Sequence, residues 1–271
     1  MEELCEFYHT EQTWYLVNGS SCGNLAAMGG GFQRGDEILV ARNCHKSVYH
    51  GIELFGLKPC YVYPDSDNWM GIYNGISPEQ IEEKLRRYRK IKGVFLTSPT
   101  YEGVVSDIKA ISRVCKQYGA ILIVDEAHGA HFPYSNYFPE SAVTRGADIV
   151  IQSLHKTMAV PNQGALLHLC SKRVNQERLN RYQSMFQTTS PSYLLLASME
   201  YGIAHGRENK GLWDKYEMLL ERYRRKWDRL THLYLVSEKD FEKKGCFDYD
   251  KGKLVFGIKP EIGNKKDNNL Y

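Results

Sequence analysis

The sequence predicts an α/β fold built on a largely parallel sheet. Between Thr13 and Leu169, short apolar runs alternate with segments of helical character, which is the alternation that βα units require. Runs such as Ile121-Leu122-Ile123-Val124 are apolar throughout instead of every second residue, the pattern of strands buried on both faces. In order, strands are expected at 13–17, 37–41, 59–63, 93–97, 121–125, 148–152 and 164–169, which makes a sheet of seven. Helices are expected between them at 23–29, 47–55, 77–89 and 107–118. The third is the most clearly marked, because Ser77-Pro78-Glu79-Gln80 supplies an N-cap, a proline in the first turn and an early acid. From Val174 onward the pattern changes to longer helices, notably around 217–227, then one short strand at 253–258 and a polar run at 263–269 with the composition of a frayed end.

The residues that carry chemistry gather at the ends of these strands. Ser153-Leu154-His155-Lys156 follows the apolar run 147–151. A lysine at the end of a buried strand can lose its proton to desolvation and condense with an aldehyde, while Ser153 and His155 can hold a phosphate. This is the pattern of a lysine that anchors pyridoxal phosphate (PLP). Alone, it also fits a polar loop after a strand. Ile121-Leu122-Ile123-Val124-Asp125-Glu126-Ala127-His128 adds a carboxylate and a histidine at the end of the preceding run. Open α/β sheets bind ligands beyond the carboxyl ends of their strands, so both signals converge on one edge. Asp125 could hold a proton on the pyridine nitrogen of PLP, or cap a loop or helix. Gly19-Ser20-Ser21-Cys22-Gly23-Asn24 follows a strand and opens a helix, where N–H groups and hydroxyls can cradle a phosphate or a serine can simply cap the helix.

Six blocks in order resemble the major domain of the ornithine/lysine/arginine decarboxylases, PLP enzymes of fold type I. They are Val17 to Asn24, Ala41-Arg42-Asn43-Cys44-His45-Lys46-Ser47, Thr97-Ser98-Pro99-Thr100-Tyr101-Glu102-Gly103, the Asp125 and Lys156 segments, and Thr188-Thr189-Ser190-Pro191-Ser192-Tyr193. The similarity covers roughly the first three quarters of the chain and thins beyond about Tyr201. It implies a seven-stranded PLP-binding domain over 1–205, then a linking helix and an incomplete C-terminal domain over 206–271.

The resemblance also implies roles. Lys156 bonds to PLP, Asp125 faces its ring nitrogen, His45 stacks on the ring and Ala127 lies against the opposite face. Ser20, Ser21, Cys22, Ser153 and His155 surround the phosphate. Cys22 departs from the small hydroxyl or alanine frequent at its place. Thr188 would reach a neighbouring subunit's phosphate, so a homodimer or higher homo-oligomer is expected. His128 would lie near the cofactor or the substrate carboxylate, although for His128 and His131 a structural role fits nearly as well. The reaction implied is decarboxylation of lysine, arginine or ornithine to an amine and CO₂. The resemblance implies a segment before the first strand and a C-terminal domain well beyond residue 271, both expected to be missing here, which keeps open a weakly active remnant or partner subunit. Another PLP reaction, such as amino transfer or racemisation, also fits the cofactor residues.

Composition narrows the partners. A net charge of +3 with 25% charged residues is no basic stripe, and the Arg/Lys cluster at 222–226 reads as a solvated helix face, so nucleic acid is not expected. The start, Met1-Glu2-Glu3-Leu4-Cys5-Glu6, is acidic, and no apolar run approaches the roughly 18–20 residues of a membrane span, so a cytoplasmic protein with no membrane partner is expected. Seven scattered cysteines without a C-x-x-C pair read as free thiols, with no metal site.

Overall fold

The computed structural model describes residues 2–65, 71–227, 229–241 and 246–258. The chain runs α1 (Glu2–Tyr8), β1 (Gln12–Leu16), α2 (Gly19–Gly31), β2 (Glu37–Ala41), α3 (Lys46–Phe55), β3 (Lys58–Val62), α4 (Pro78–Arg87) and β4 (Ile91–Thr97). It continues through β5 (Val104–Val105), α5 (Ile108–Gln117), β6 (Ile121–Asp125), β7 (Ile149–Gln152), α6 (Leu154–Thr157) and β8 (Ala165–Leu169). The last elements are α7 (Gln176–Phe186), α8 (Tyr193–Glu208), α9 (Lys210–Trp227), β9 (Leu233–Leu235), β10 (Asp248–Tyr249) and β11 (Phe256–Ile258).

Seven strands form one sheet in the order β1-β8-β7-β6-β4-β2-β3. Strands β3, β2, β4, β6 and β7 pair in parallel, whereas β8 pairs antiparallel with both β7 and β1. The fold is therefore α/β with a mostly parallel seven-stranded sheet. Leu39, Val40, Phe95, Leu122, Val124, Val150, Ile151 and Leu166 have no exposed surface, as their apolar runs require. The order places the carboxyl ends of β1, β2, β4, β6 and β7 along one edge. Because β8 is reversed, the loop that enters it lies on the same edge.

Helix α2 packs on this sheet closely enough to need glycine. A Cβ on Gly23 would stand 2.8 Å from both Ile151 Cγ2 and Leu16 Cδ1, inside van der Waals contact. Helix α4 carries the capping box that its sequence announces, with Gln80 N–H donating to Ser77 Oγ and Ser77 N–H to Gln80 Oε1. A buried polar network crosses the sheet beneath α2. His168 joins Thr13 Oγ1 at 2.9 Å to Gln152 Oε1 at 3.1 Å, and Gln152 Nε2 donates to Glu126 Oε2 at 2.7 Å.

Two expectations need correction. Helix α2 begins at Gly19 instead of residue 23, taking in the whole block that was expected to open it. The expected strand at 253–258 shortens to β11, since the Asp250–Lys253 segment is a turn closed by Lys253 N–H donating to Asp250 O at 3.0 Å. Helix α8 runs through residue 205. Beyond it the chain returns to the sheet domain: β10 pairs with β5, and His131 holds Asp250 at 3.2 Å. The polar run at 263–269 lies outside the described residues.

Candidate active site

Strand β1 ends at Leu16, and the chain turns into α2 through Gly19, whose φ of +76° is the left-handed conformation that glycine adopts without strain. Gly19 N–H is tied to Gln163 O at 2.9 Å, which pins the start of α2 to the loop entering β8. Asn18, the residue before the helix, makes no side-chain cap. Beyond Gly19, the N–H groups of Ser20 and Ser21 therefore take no side-chain cap and lie at the positive end of the helix dipole, beside the hydroxyls of the same residues. Both serines line a cavity of about 530 Å³ at the sheet edge, together with His45, Asp125, Ala127 and Lys156.

Asp125 ends β6 and is 3% exposed. It accepts from Asn24 Nδ2 at 2.9 Å and from Ala127 N–H at 3.1 Å. Burial holds its carboxyl above the usual carboxylate range against the opposing pull of these bonds and of Lys156 and His45. Asn24 Nδ2 spends its second hydrogen on Ser47 Oγ at 2.9 Å, and Ser47 Oγ lies 2.9 Å from His45 Nδ1. Since Ser47 N–H also donates to His45 Nδ1 at 3.3 Å, that nitrogen is the acceptor and the neutral ring carries its hydrogen on Nε2. One amide thus fixes both Asp125 and, through Ser47, the His45 ring. Desolvation lowers the His45 pKa, so the ring favours its neutral form.

Lys156 lies in the short helix α6 directly after β7, on the open side of the cavity. Desolvation lowers its pKa, with Lys253 adding to the shift and Asp125 opposing it. Its Nζ is 3.1 Å from His128 Nε2, while Lys253 Nζ reaches His128 Nδ1 at 3.4 Å. Burial and these two neighbours push the His128 pKa down to about 3. A neutral imidazole has one lone pair and one N–H, so it cannot serve two ammonium donors. Both lysine amines are shifted toward the uncharged form, first of all by desolvation.

The remaining expected residues divide. His155 lines the cavity and its Nδ1 is 3.0 Å from Gly164 O, which directs Nδ1–H to that carbonyl and leaves Nε2 free for a ligand. Ser153 is fully buried and its Oγ has no hydrogen-bond partner. Cys22 does not line the cavity. Its thiol is buried in the core, which pushes its pKa up to about 11, so only its backbone N–H faces the expected role. Thr188 is exposed outside this cavity, with Oγ1 accepting from Ser190 N–H at 3.2 Å.

Sequence reasoning missed Asn24 and Ser47, and it missed Thr97 and Asn43, two cavity residues with orphaned buried oxygens. Lys253 was missed as well. The unpartnered atoms of Thr97 and Asn43, with the uncapped start of α2, are what a polar, phosphate-bearing ring would satisfy; Ser153, although unpartnered, is buried behind the cavity wall and does not line it. The residues present fit PLP on that ground.

Comparison with known proteins agrees with this geometry. The family model for the Orn/Lys/Arg decarboxylase major domain matches residues 2–264. The chain is 40% identical over 240 residues to the uncharacterized protein YaaO of Bacillus subtilis (strain 168), covering 87% of this chain and 50% of that protein. It is 32% identical over 257 residues to the arginine decarboxylase of the same organism, covering 94% of this chain and 52% of the relative. The Francisella novicida lysine decarboxylase LdcF superposes with a TM-score of 0.77 at 24% identity, over 96% of this chain and 40% of that one, and so shares the fold. The chain spans about half the length of these two Bacillus relatives. No helix among the described residues is long and apolar enough to cross a membrane. The matched model takes in nearly the whole chain, and the protein belongs to the Orn/Lys/Arg decarboxylase major-domain family.

Proposed function

We propose that the chain is the cofactor-binding part of a PLP-dependent decarboxylase of a basic amino acid. The observation that carries this reading is the meeting of a desolvated Lys156, a buried Asp125 and the uncapped start of α2 around one cavity. When bound, PLP supplies an aldehyde that condenses with amines and a ring that accepts the electrons of the broken bond. Ser20 and Ser21 would hold the phosphate through their hydroxyls and their N–H groups at the start of α2, with His155 beside it. Asp125 holds a proton at the ring nitrogen, a task suited to a buried carboxyl that gives up its proton late. His45, oriented by Ser47 and Asn24, keeps the ring in its plane, and Ala127 is small enough to let it lie close.

Lys156 needs an uncharged amine to react, and the desolvation that lowers its pKa favours one. Thr188 lies beside an apolar exposed surface formed by Met185, Tyr193, Leu194 and Tyr201, 56–84% exposed, and this surface fits a second copy of the chain. Thr188 would then complete the partner's phosphate site.

The test is one preparation measured three ways. Wild-type protein mixed with PLP should develop the visible absorbance band of the lysine-bound cofactor, sediment as a dimer and release amine and CO₂ from lysine, arginine or ornithine. Lys156→Ala should lose the band and the activity. A folded wild type that takes up no PLP refutes the reading.

A further inference from the structure

The strand that delivers Asp125 delivers a second acid directly after it, and the proposed chemistry leaves that acid without a task. Glu126 is 1% exposed. Among the described residues no lysine, arginine or histidine forms an ion pair with it. A buried carboxyl without a counter-ion is unfavourable, so its two oxygens must be needed. Both are in use. Oε1 accepts from Ala142 N–H at 2.6 Å, and Oε2 accepts from Ser141 Oγ at 2.6 Å and from Gln152 Nε2 at 2.7 Å. Leucine would satisfy none of these donors, and glutamine, with one acceptor oxygen, would turn its own NH₂ toward one of them.

What these bonds join is the functional edge. Glu126 lies between Asp125 and Ala127 in the chain, and Gln152 closes β7 directly before the Ser153-Leu154-His155-Lys156 segment. Glu126 N–H also donates to Ile151 O at 2.8 Å, so backbone and side chain tie the same two strand ends. From Gln152 the row continues, with Oε1 lying 3.1 Å from His168 Nε2 and His168 Nδ1 lying 2.9 Å from Thr13 Oγ1. Thr13, His168, Gln152 and Glu126 thus stand on β1, β8, β7 and the end of β6, which are neighbours in the sheet in that order. Because Gln152 Nε2 faces a carboxylate, its oxygen faces His168, and the neutral ring donates from Nε2 and accepts from Thr13 at Nδ1. One acid at the end of the row fixes the orientation of every group in it.

We infer that Glu126 is a positioning residue: its carboxylate clamps the ends of β6 and β7 together, and with them the spacing between Asp125 and Lys156. That these two are the pair to be spaced rests on the decarboxylase reading; the clamp itself does not. Burial pushes the Glu126 pKa up to about 7 against the pull of its three donors. The titratable groups that face it keep one charge state there. Burial holds Tyr8 of α1 and Cys170 after β8 protonated, raises Tyr134 beside Tyr8 to about 12 and lowers His168 to about 3. The turn at 129–132 packs on the acid, since a Cβ on Gly129 would stand 2.7 Å from Glu126 Cγ, but its His131 is turned to Asp250.

Protonation of Glu126 weakens the clamp. Of its three partners only Ser141 Oγ can accept, so the acid's hydrogen goes there and one converging donor is lost. The clamp is therefore tightest above pH 7. Fold stability runs the other way: a folded pKa raised above the unfolded value of about 4.5 contributes stability that is complete below 4.5 and lost as pH rises through about 7. A carboxyl that served stability alone would loosen the site in step with the fold.

The first experiment is nuclear magnetic resonance on cofactor-free, isotopically labelled protein. The Ala142 amide reads the charge on Glu126, and the Lys156 amide reads whether a change there reaches the lysine. From about pH 5.5 to 8.5 both should shift with one common midpoint in wild type and show no such midpoint in Glu126→Gln. A Lys156 amide that stays still or moves alike in both proteins overturns the inference, as does an Ala142 amide that does not titrate. Should Glu126→Gln fail to fold by circular dichroism, Ser141→Ala decides in its place. Loss of a donor to the carboxylate should raise the common midpoint by about half a pH unit or more, and an unmoved Lys156 midpoint overturns the inference. The second experiment follows PLP release from loaded protein. The ratio of release rates, Glu126→Gln over wild type, should grow at least about tenfold across the same pH range, the worth of one to two hydrogen bonds. A ratio independent of pH overturns the inference. A chain that takes up no PLP but whose two amides titrate together keeps the clamp and refutes the decarboxylase reading.

Discussion

The edge of the central sheet and the segment from Asp248 to Lys253 reach the same lysine by different physics. At the edge, each functional side chain sits within a few residues of the end of a buried strand, so one apolar run fixes it: β6 places Asp125, β7 places Lys156 and β1 places Ser20. The tail has no such support. Its β10 contributes two residues to a two-stranded ladder with β5, and the turn that follows is held by Arg224 Nη2, which donates to Lys251 O at 2.7 Å and Lys253 O at 2.9 Å. The difference teaches that side chains at the ends of buried strands stand on the most stable part of a fold, while those on the returning tail hang on a few replaceable bonds.

The sharpest way to break that division is at Asp125. Asn in its place keeps a similar shape but cannot carry the charge that holds a proton at the ring nitrogen. Asp125→Asn should lower amine release by about 10²-fold or more, with cofactor absorbance falling far less. Equal turnover in the two proteins would mean that the strand end does not carry the chemistry.

Much of the edge was legible in the sequence because local pattern and long-range placement agree there. An apolar run such as 121–124 can only be a buried strand, and whatever follows it lands at the sheet edge. Asn24 and Ser47 were not legible, since their importance lies in bonds to Asp125 and His45 made across 101 and 2 residues, and an amide inside a helix looks like any other. The block from Gly19 was read as opening a helix, yet the helix was counted only from residue 23, because glycine and serine are weak helix formers in its first turn. A signal for Glu126 was present: a second acid inside an apolar stretch must be paired if buried, and it accepts from Gln152 and Ala142. Nothing local marked Asp250 or Lys253, because their partners His131 and His128 lie 119 and 125 residues away.

The network beneath the edge gives the division a pH dependence. His168 is fully buried and His128 half-buried, and burial pushes both pKa values down to about 3. Unfolded, each would take up a proton near pH 6.5. Both groups therefore contribute stability that is complete above about pH 6.5 and lost as pH falls, at about 1.4 kcal/mol per pH unit for each site. Glu126 works in the opposite sense, since burial raises its pKa to about 7 and the folded state holds a proton that the unfolded chain releases above about 4.5. The two slopes oppose each other between about pH 4.5 and 6.5, so a variant is needed to separate them. His168→Gln should be less stable than wild type at pH 7, and its deficit should shrink by about 1.4 kcal/mol per unit as pH drops from 6.5 to 5. Thermal unfolding at a series of pH values measures it, and a constant deficit would show that His168 is not held neutral.

The smallest expected effect tests the tail. Arg224 belongs to α9, and its guanidinium caps two carbonyls of the turn that carries Asp250 and Lys253. Arg224→Met keeps the aliphatic stem and removes both donors, so the turn should open more often while the sheet is untouched. The amides of Asp250, bonded to Gly103 O at 2.8 Å, and of Lys253, bonded to Asp250 O at 3.0 Å, should exchange with solvent about tenfold faster. Amides of β4, β6 and β7 should keep their protection, because their bonds open only with the whole sheet. Uniform acceleration across both regions would mean that the tail and the sheet form one cooperative unit. The contrast between a rigid sheet edge and a separately held tail segment would then not exist in this fold.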